Sequence, residues 1–169
     1  MELYARGGAS ELANLRASNI GYVVQTGALL PFLTVLGNIR LALELAKDKD
    51  DGQVAWLLTH LGLDGLEDSY PASLSIGQRQ RTAIARSLAH RPPIVLADEP
   101  TAALDPDNKT RVIDMLTELA SKMGATVIVA THEHELLTRA DTRRLHVETE
   151  LTQDDGIDHV HAEVTGELV

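Results

Sequence analysis

Residues 94–101 read Ile94-Val95-Leu96-Ala97-Asp98-Glu99-Pro100-Thr101, four apolar residues that end in two adjacent carboxylates and a proline. A short, continuous apolar run of this kind suits a strand covered on both faces, as strands of parallel sheets are. At the carboxyl end of such a strand a pair of carboxylates faces the crevice in which ligands of open α/β sheets bind. Successive strand side chains point to opposite sides, so Asp98 and Glu99 have different tasks. One can hold Mg2+, directly or through water, while the other orients and deprotonates an attacking water, as phosphoryl transfer requires. Taken alone, the run fits equally well a core strand that ends in two solvated acids.

Outward from this run, Ile20 to Val24 and Thr126 to Ala130 are two more β-rich stretches of nearly continuous apolar character. Between Pro100 and Thr126, the segment Arg111 to Lys122 places Val112, Ile113, Leu116 and Leu119 at helical spacing, and Gly124 follows as a stop signal. Strand alternating with helix indicates an α/β domain with a parallel sheet. Between Ile39 and Arg91 the pattern changes: helical stretches around Leu41 to Lys47, Gln53 to Leu61 and Ile76 to His90 follow one another without a strand, as in a helical insertion. The last of these opens with Leu74-Ser75-Ile76-Gly77-Gln78-Arg79-Gln80-Arg81. Ser75 followed by Gln78 has the S-x-x-Q form of a capping box, which starts the helix at Ser75. Its free backbone N–H groups, with no side chain at Gly77, would let an anion approach closely. An ordinary capped helix reads the same way.

Composition sets the limits. The 169 residues include no Cys, which excludes thiol catalysis and Cys-based metal sites, and a chain of this length needs neither disulfide nor metal to hold a core. The formal net charge of −10 argues against a general nucleic-acid binder while leaving local nucleotide binding open. The longest apolar stretch, around Ala28 to Leu36, is broken by Pro31 and Thr34 and is far short of the ~20 residues that span a bilayer. With no signal peptide apparent either, a soluble cytoplasmic chain is expected. Charge is uneven: from Leu145 to Val169 there are seven acids and no Lys or Arg, so this tail is expected to be a solvated or frayed end, with a short edge strand around His159 to Val164 as the alternative. His159 and His161 share a face if extended and are expected to face solvent. His132-Glu133-His134-Glu135 is not a metalloprotease motif, because H-E-x-x-H requires His where Leu136 stands.

Taken together, these runs resemble the ordered motifs of the ATP-binding-cassette ATPases. Leu74 to Gln78 resembles their LSGGQ signature and Ile94 to Pro100 their Walker B strand with its glutamate. Gln25 after the first strand resembles the Q-loop, Ala103-Leu104-Asp105 the D-loop, and Thr131-His132 the switch-histidine loop. The likeness covers about residues 1–147. Ile76 departs from the pattern by standing where the signature usually has its first Gly, adding a side chain near an approaching phosphate. The run from Gln25 to Ile39 and the compact insertion are similar to the ATPases of lipoprotein-release and macrolide-export systems. Chromosome and DNA-repair relatives, which carry a long coiled coil between Q-loop and signature, are disfavoured by the 49 residues between Gln25 and Ser75.

One motif does not occur. None of the four lysines, Lys47, Lys49, Lys109 and Lys122, follows a Gly, so these residues contain no G-x-x-x-x-G-K-[ST] phosphate loop (Walker A). In the family that strand, loop and helix, and the aromatic residue that stacks on adenine, precede the Q-loop. The likeness is therefore to the C-terminal two-thirds of a nucleotide-binding domain: a partial P-loop NTPase (RecA-like) parallel sheet without the Walker A strand, plus a helical signature subdomain. The implied organisation is 1–25, the remnant of an N-terminal β region and the Q-loop strand; 26–91, the helical signature subdomain; 92–147, the core with Walker B, D-loop and H-loop; and 148–169, the acidic tail. Because the missing strand would lie beside Thr126 to Ala130, that edge should be unpaired and prone to self-association.

The resemblance implies roles residue by residue. Glu99 would be the general base, Asp98 and Gln25 would serve the Mg2+ that accompanies ATP, and His132 would contact the γ-phosphate. Ser75, Gly77 and Gln78 would cover ATP held by the P-loop of a second ATPase subunit in a head-to-tail dimer, with Asp105 at that interface. Two functions follow as expectations: an ATPase subunit, or part of one, that energises a separate transmembrane permease; or a non-catalytic partner that donates its signature in trans. In either case the chain meets the membrane's inner face only through the permease, and its substrate is chosen elsewhere.

Overall fold

The computed structural model describes residues 8–25 and 27–133, together with the backbone of residues 144–154 and 157–167. It divides into two units, residues 1–131 and residues 132–169.

The first unit opens with helix α1 (Ala9–Asn19), which buries none of its side chains, and strand β1 (Ile20–Val23). The described part of the segment expected as the remnant of a β region is thus mainly helical. Its Ala-, Leu-, Glu- and Arg-rich sequence favours a helix although it has no apolar stripe to bury. The helical insertion opens with α2 (Val35–Ala46), α3 (Gln53–His60) and a 3-10 turn (Pro71–Ser73). Thr34 caps α2 by accepting the Gly37 N–H at 3.1 Å, and Lys47 ends it in the left-handed conformation. Helix α4 (Ile76–Leu88) leads into β2 (Ile94–Asp98), α5 (Pro106–Lys122) and β3 (Thr126–Ala130). Gly124, at φ +71°, makes the turn between α5 and β3 that its position in the sequence predicts.

The strands form a parallel sheet in the order β1-β2-β3, with Tyr22 beside Leu96 and Leu96 beside Ile128. Val23, Val95 and Ala97 point to a covered face and are almost fully buried. The backbone of α4 lies directly on β1: a Cβ placed on Gly21 would stand 2.2 Å from the Ser87 carbonyl oxygen. The core continues from this contact into the insertion, where Val35, Ile39, Leu57, Leu61, Leu63, Ile84 and Leu88 have no exposed surface. Each such aliphatic residue contributes about 1.5–3 kcal/mol of burial.

The opposite face departs from the expectation of strands covered on both sides. Tyr22 and Ile128 are each 50% exposed and Ile94 is 38% exposed, so among the described residues nothing covers their face. Likewise, β3 is the edge of this sheet among the described residues.

The second unit contains an antiparallel pair, β4 (Arg144–Asp154) and β5 (Ile157–Glu167). The tail expected to fray is therefore a hairpin. Its backbone register sets Val147 beside Val164, Thr149 beside Ala162 and Leu151 beside Val160, so small and apolar residues fall opposite one another along the ladder.

Candidate nucleotide site

Gln25 and the Asp98-Glu99 pair stand just beyond or at the carboxyl ends of two neighbouring strands, because Val23 of β1 is in register with Ala97 of β2. Gln25 occupies a corner of the turn closed by the Gly27 N–H on the Val24 carbonyl at 2.9 Å, and it is exposed. Asp98, the last residue of β2, is also exposed.

At Glu99 the strand breaks off abruptly. Its N–H still donates to the Ala130 carbonyl at 2.9 Å, one step past the paired residues Asp98 and Ala130, but its φ of +43° lies in the left-handed region that a side chain disfavours. The reversal turns the carboxylate towards the end of β3, where the Thr131 hydroxyl donates to Glu99 Oε2 at 3.2 Å. Pro100 and Thr101 behind it are buried, and among the described residues the Thr101 hydroxyl has no hydrogen-bond partner. Thr131 was quoted in the sequence only as the neighbour of His132. The structure gives it a hydrogen bond to the candidate base, a link that required knowing β2 and β3 to be adjacent. His132 is exposed and belongs to the second unit.

The signature residues occupy a different place, the N-terminus of α4. The capping box is present in both directions: Ser75 Oγ accepts the Gln78 N–H at 3.2 Å, and Gln78 Oε1 accepts the Ser75 N–H at 2.8 Å. Those two side chains thus shape the helix start, while the N–H groups of Ile76 and Gly77 are first-turn donors without intrahelical acceptors. A Cβ on Gly77 would meet nothing within 4 Å, so its missing side chain leaves open space rather than making room for the protein's own packing. Ile76, 51% exposed, is an apolar neighbour of that opening.

Helix α4 runs antiparallel to β1: Ser87 lies against Gly21 near the strand's start, whereas Arg79 and Ala83 lie against Gly27 beyond its end. The signature end of α4 therefore projects on the same side of the sheet as Gln25, Asp98 and Glu99. Asp105 caps α5, accepting the Asn108 N–H at 3.1 Å and its side-chain amide at 2.8 Å.

Mg2+ with ATP fits this donor set. The ion takes one or two protein oxygens plus phosphate and water. The site offers a carboxylate at Asp98 and an amide oxygen at Gln25, and among the described residues no group of three His, Cys, Asp or Glu side chains forms a self-sufficient metal cage.

Comparison with known proteins gives concordant results. The sequence profile of the family described as ABC transporter matches residues 8–102. The methionine import ATP-binding protein MetN of Escherichia coli (strain K12) is 42% identical over 133 residues, covering 77% of this chain and 38% of that protein, and MetN of Shigella flexneri gives the same values. Among solved structures, the dimeric structure of MJ0796, a bacterial ABC transporter cassette, has a TM-score of 0.67 at 36% identity. A dimeric post-hydrolysis state of MJ0796 bound to ADP and Pi has a TM-score of 0.66 at 37% identity. Each alignment to MJ0796 covers 76% of this chain and 58% of the cassette. The chain thus spans well under two-thirds of the relatives it matches. Both MetN relatives are named for methionine import, whereas the run from Gln25 to Ile39 resembles export-type ATPases.

Proposed function

This chain belongs to the ABC transporter family, and on that premise we propose that it is an ATP-binding and ATP-hydrolysing subunit, or a portion of one, that energises transport by a separate permease at the inner face of the membrane. The observation that carries this reading is the common location of Gln25, Asp98, Glu99 and the signature end of α4 at the carboxyl side of the sheet. Glu99 accepts a proton from the attacking water, a role worth ~10²–10⁴ in rate. Asp98 and Gln25 would hold the Mg2+ of MgATP, whose charge would offset that of the phosphates, and His132, by the family resemblance, would contact the γ-phosphate.

The phosphate grip itself comes from a P-loop outside these 169 residues. A helix N-terminus contributes about 0.3–2 kcal/mol towards an anion, whereas even millimolar affinity requires about −4 kcal/mol. The chain alone therefore binds MgATP more weakly than ~0.1 mM, as calorimetry would show.

A second reading is favoured by the open space at Gly77: the chain serves as a non-catalytic partner whose α4 N-terminus covers ATP held by an intact cassette. ATP hydrolysis by the chain mixed with an intact cassette separates the two. Loss of the added activity with Glu99→Gln supports the catalytic subunit; loss with substitutions at Ser75 or Gly77, but not at Glu99, supports donation in trans. Hydrolysis by the chain alone at ordinary enzymatic rates, abolished by Glu99→Gln, would overturn the requirement for an external P-loop.

A further inference from the structure

The loop after Gln25 is fastened to α4 by a single guanidinium. Arg86 donates from Nη1 to the Ala28 carbonyl at 2.7 Å and from Nη2 to the Gly27 carbonyl at 2.9 Å. Two consecutive carbonyls can face one planar fork here because Gly27 and Ala28 both have positive φ, +72° and +41°. Gly27 adopts this freely; Ala28, with its Cβ, does so only when something holds it.

Burial lowers the proton affinity of Arg86, and no carboxylate among the described residues contributes to offset it. Arg86 is half-buried, so its partial desolvation is offset by the two carbonyl dipoles together with solvent. The surrounding packing is close: the Cβ position of Gly27 lies 3.5 Å from the Arg79 carbonyl oxygen and 3.6 Å from Ala83 Cβ, on the α4 face that also carries Arg86. Farther along, the buried side chain of Asn38 accepts the Leu30 N–H at 2.8 Å and donates to the carbonyls of Leu30, Leu33 and Thr34. Gln25 is thus the corner of a loop anchored by β1 on one side and by Arg86 on the other.

We propose that Arg86 is the positioning residue of Gln25: its fork fixes the exit of the Gln25 turn on α4, so that the Gln25 amide and the signature helix hold one relative placement. The functional weight of this placement rests on the reading of Gln25 as part of the nucleotide site, but the clamp can be measured without nucleotide. Because the chain has no Cys, Gln25→Cys gives a unique attachment point for a nitroxide label on the full chain.

Arg86→Met keeps the apolar stem and removes the fork. It should convert an immobilised label spectrum into a mobile one and speed amide exchange in residues 27–30 at least about tenfold, the ratio equivalent to one lost hydrogen bond from a charged donor. Exchange in α5 and β2 should stay unchanged. Arg86→Lys, a point charge that reaches one carbonyl, should fall between. If Arg86→Met disturbs folding, the same label and exchange readings on Arg86→Lys decide the matter. An unchanged label spectrum, or exchange accelerated equally throughout the unit, overturns the proposal. Failure of the nucleotide reading would instead appear in the mixed ATPase assay, with the clamp result intact.

Discussion

Replacing Gly21 by Ala tests the backbone contact from which the site's geometry follows. The added Cβ would lie 2.2 Å from the Ser87 carbonyl oxygen, 3.1 Å from the Ser87 carbonyl carbon and 3.1 Å from Pro92 Cγ. An unbonded carbon and a carbonyl oxygen settle at about 3.3–3.6 Å, so β1 and α4 must separate by roughly 1 Å. No rotamer change can relieve this, because the obstructing atoms at Ser87 are backbone. A gap of that size forfeits about a quarter to a half of each dispersion contact it opens, and α4 carries Ile84, Ala85 and Leu88 into the core along this line. Overpacking costs about 1–3 kcal/mol, whereas Ala in place of Gly in a strand returns about 0.5–1 kcal/mol. Because the obstructing atoms are backbone, the upper end of the overpacking range applies, and the net expectation is a loss of about 2 kcal/mol from a total of about 5–15 kcal/mol for a domain. Urea unfolding is the assay: with a slope of about 2 kcal/mol/M the midpoint should fall by about 1 M without a change of slope. A midpoint that stays within ~0.3 M of the parent would refute the close approach, and with it the placement of α4 beside Gln25.

Gly77→Ala is the counterpart, since its Cβ would meet nothing within 4 Å: stability should hold or rise by up to ~1 kcal/mol, while activity added to an intact cassette drops, and unchanged activity would contradict an anion at this helix end. Asp105→Ala should cost about 1 kcal/mol through the lost α5 cap, read as a lower urea midpoint; a neutral result would mean that the Asn108 hydrogen bonds contribute nothing. His90 supplies a pH dependence: burial lowers its proton affinity, against weaker opposition from Asp48 and the backbone of Ile20. The unfolded chain then binds the proton near pH 6.5 and the folded chain only at lower pH, so stability is complete above pH 6.5 and falls as the pH drops towards the folded value, by at most ~1.4 kcal/mol per pH unit. Substitution by Gln should flatten this component of the urea midpoint between pH 7.5 and 5.5, and parallel profiles for parent and variant would remove His90 as its source.

The parts of the fold legible in the sequence are those governed by local rules. Thr126–Ala130 occupies its predicted bounds, β1 and β2 agree to within a residue, and Ser75 caps α4 as its spacing to Gln78 requires. The start of α5 is also locally encoded, since Asp105 followed by Pro106 is an N-cap and first-turn pair, although the same residues resemble a D-loop. Asp155-Gly156, between the two tail strands, is likewise a hairpin signal that the acidic composition obscured. Arg86 and Thr131 carry no such signal. Their partners lie 58 or 59 and 32 residues away, and each hydrogen bond exists only because separate elements are brought together. The exposed sheet face escaped for the same reason: an apolar run reports that a strand can be covered, and not which element covers it.

Backbone strain is concentrated beside the proposed nucleotide site. Four residues other than Gly have positive φ among the described positions: Ala28, Lys47, Arg91 and Glu99. Lys47 is the C-cap of α2, and the Arg91 N–H bonds back to Leu88 at the end of α4, so both end helices in the ordinary left-handed way. Ala28 and Glu99 end no helix. They follow β1 and β2 at adjacent strand ends, each held by a partner on another element, Arg86 for the one and Ala130 with Thr131 for the other. A positive φ at a residue with a Cβ costs about 1–2 kcal/mol and persists only where its surroundings enforce it. Stability alone would favour Gly at both positions. Instead Ala28 is clamped by the half-buried Arg86 and Glu99 is turned back onto Thr131, so both strained residues border the crevice beside Gln25 and Asp98.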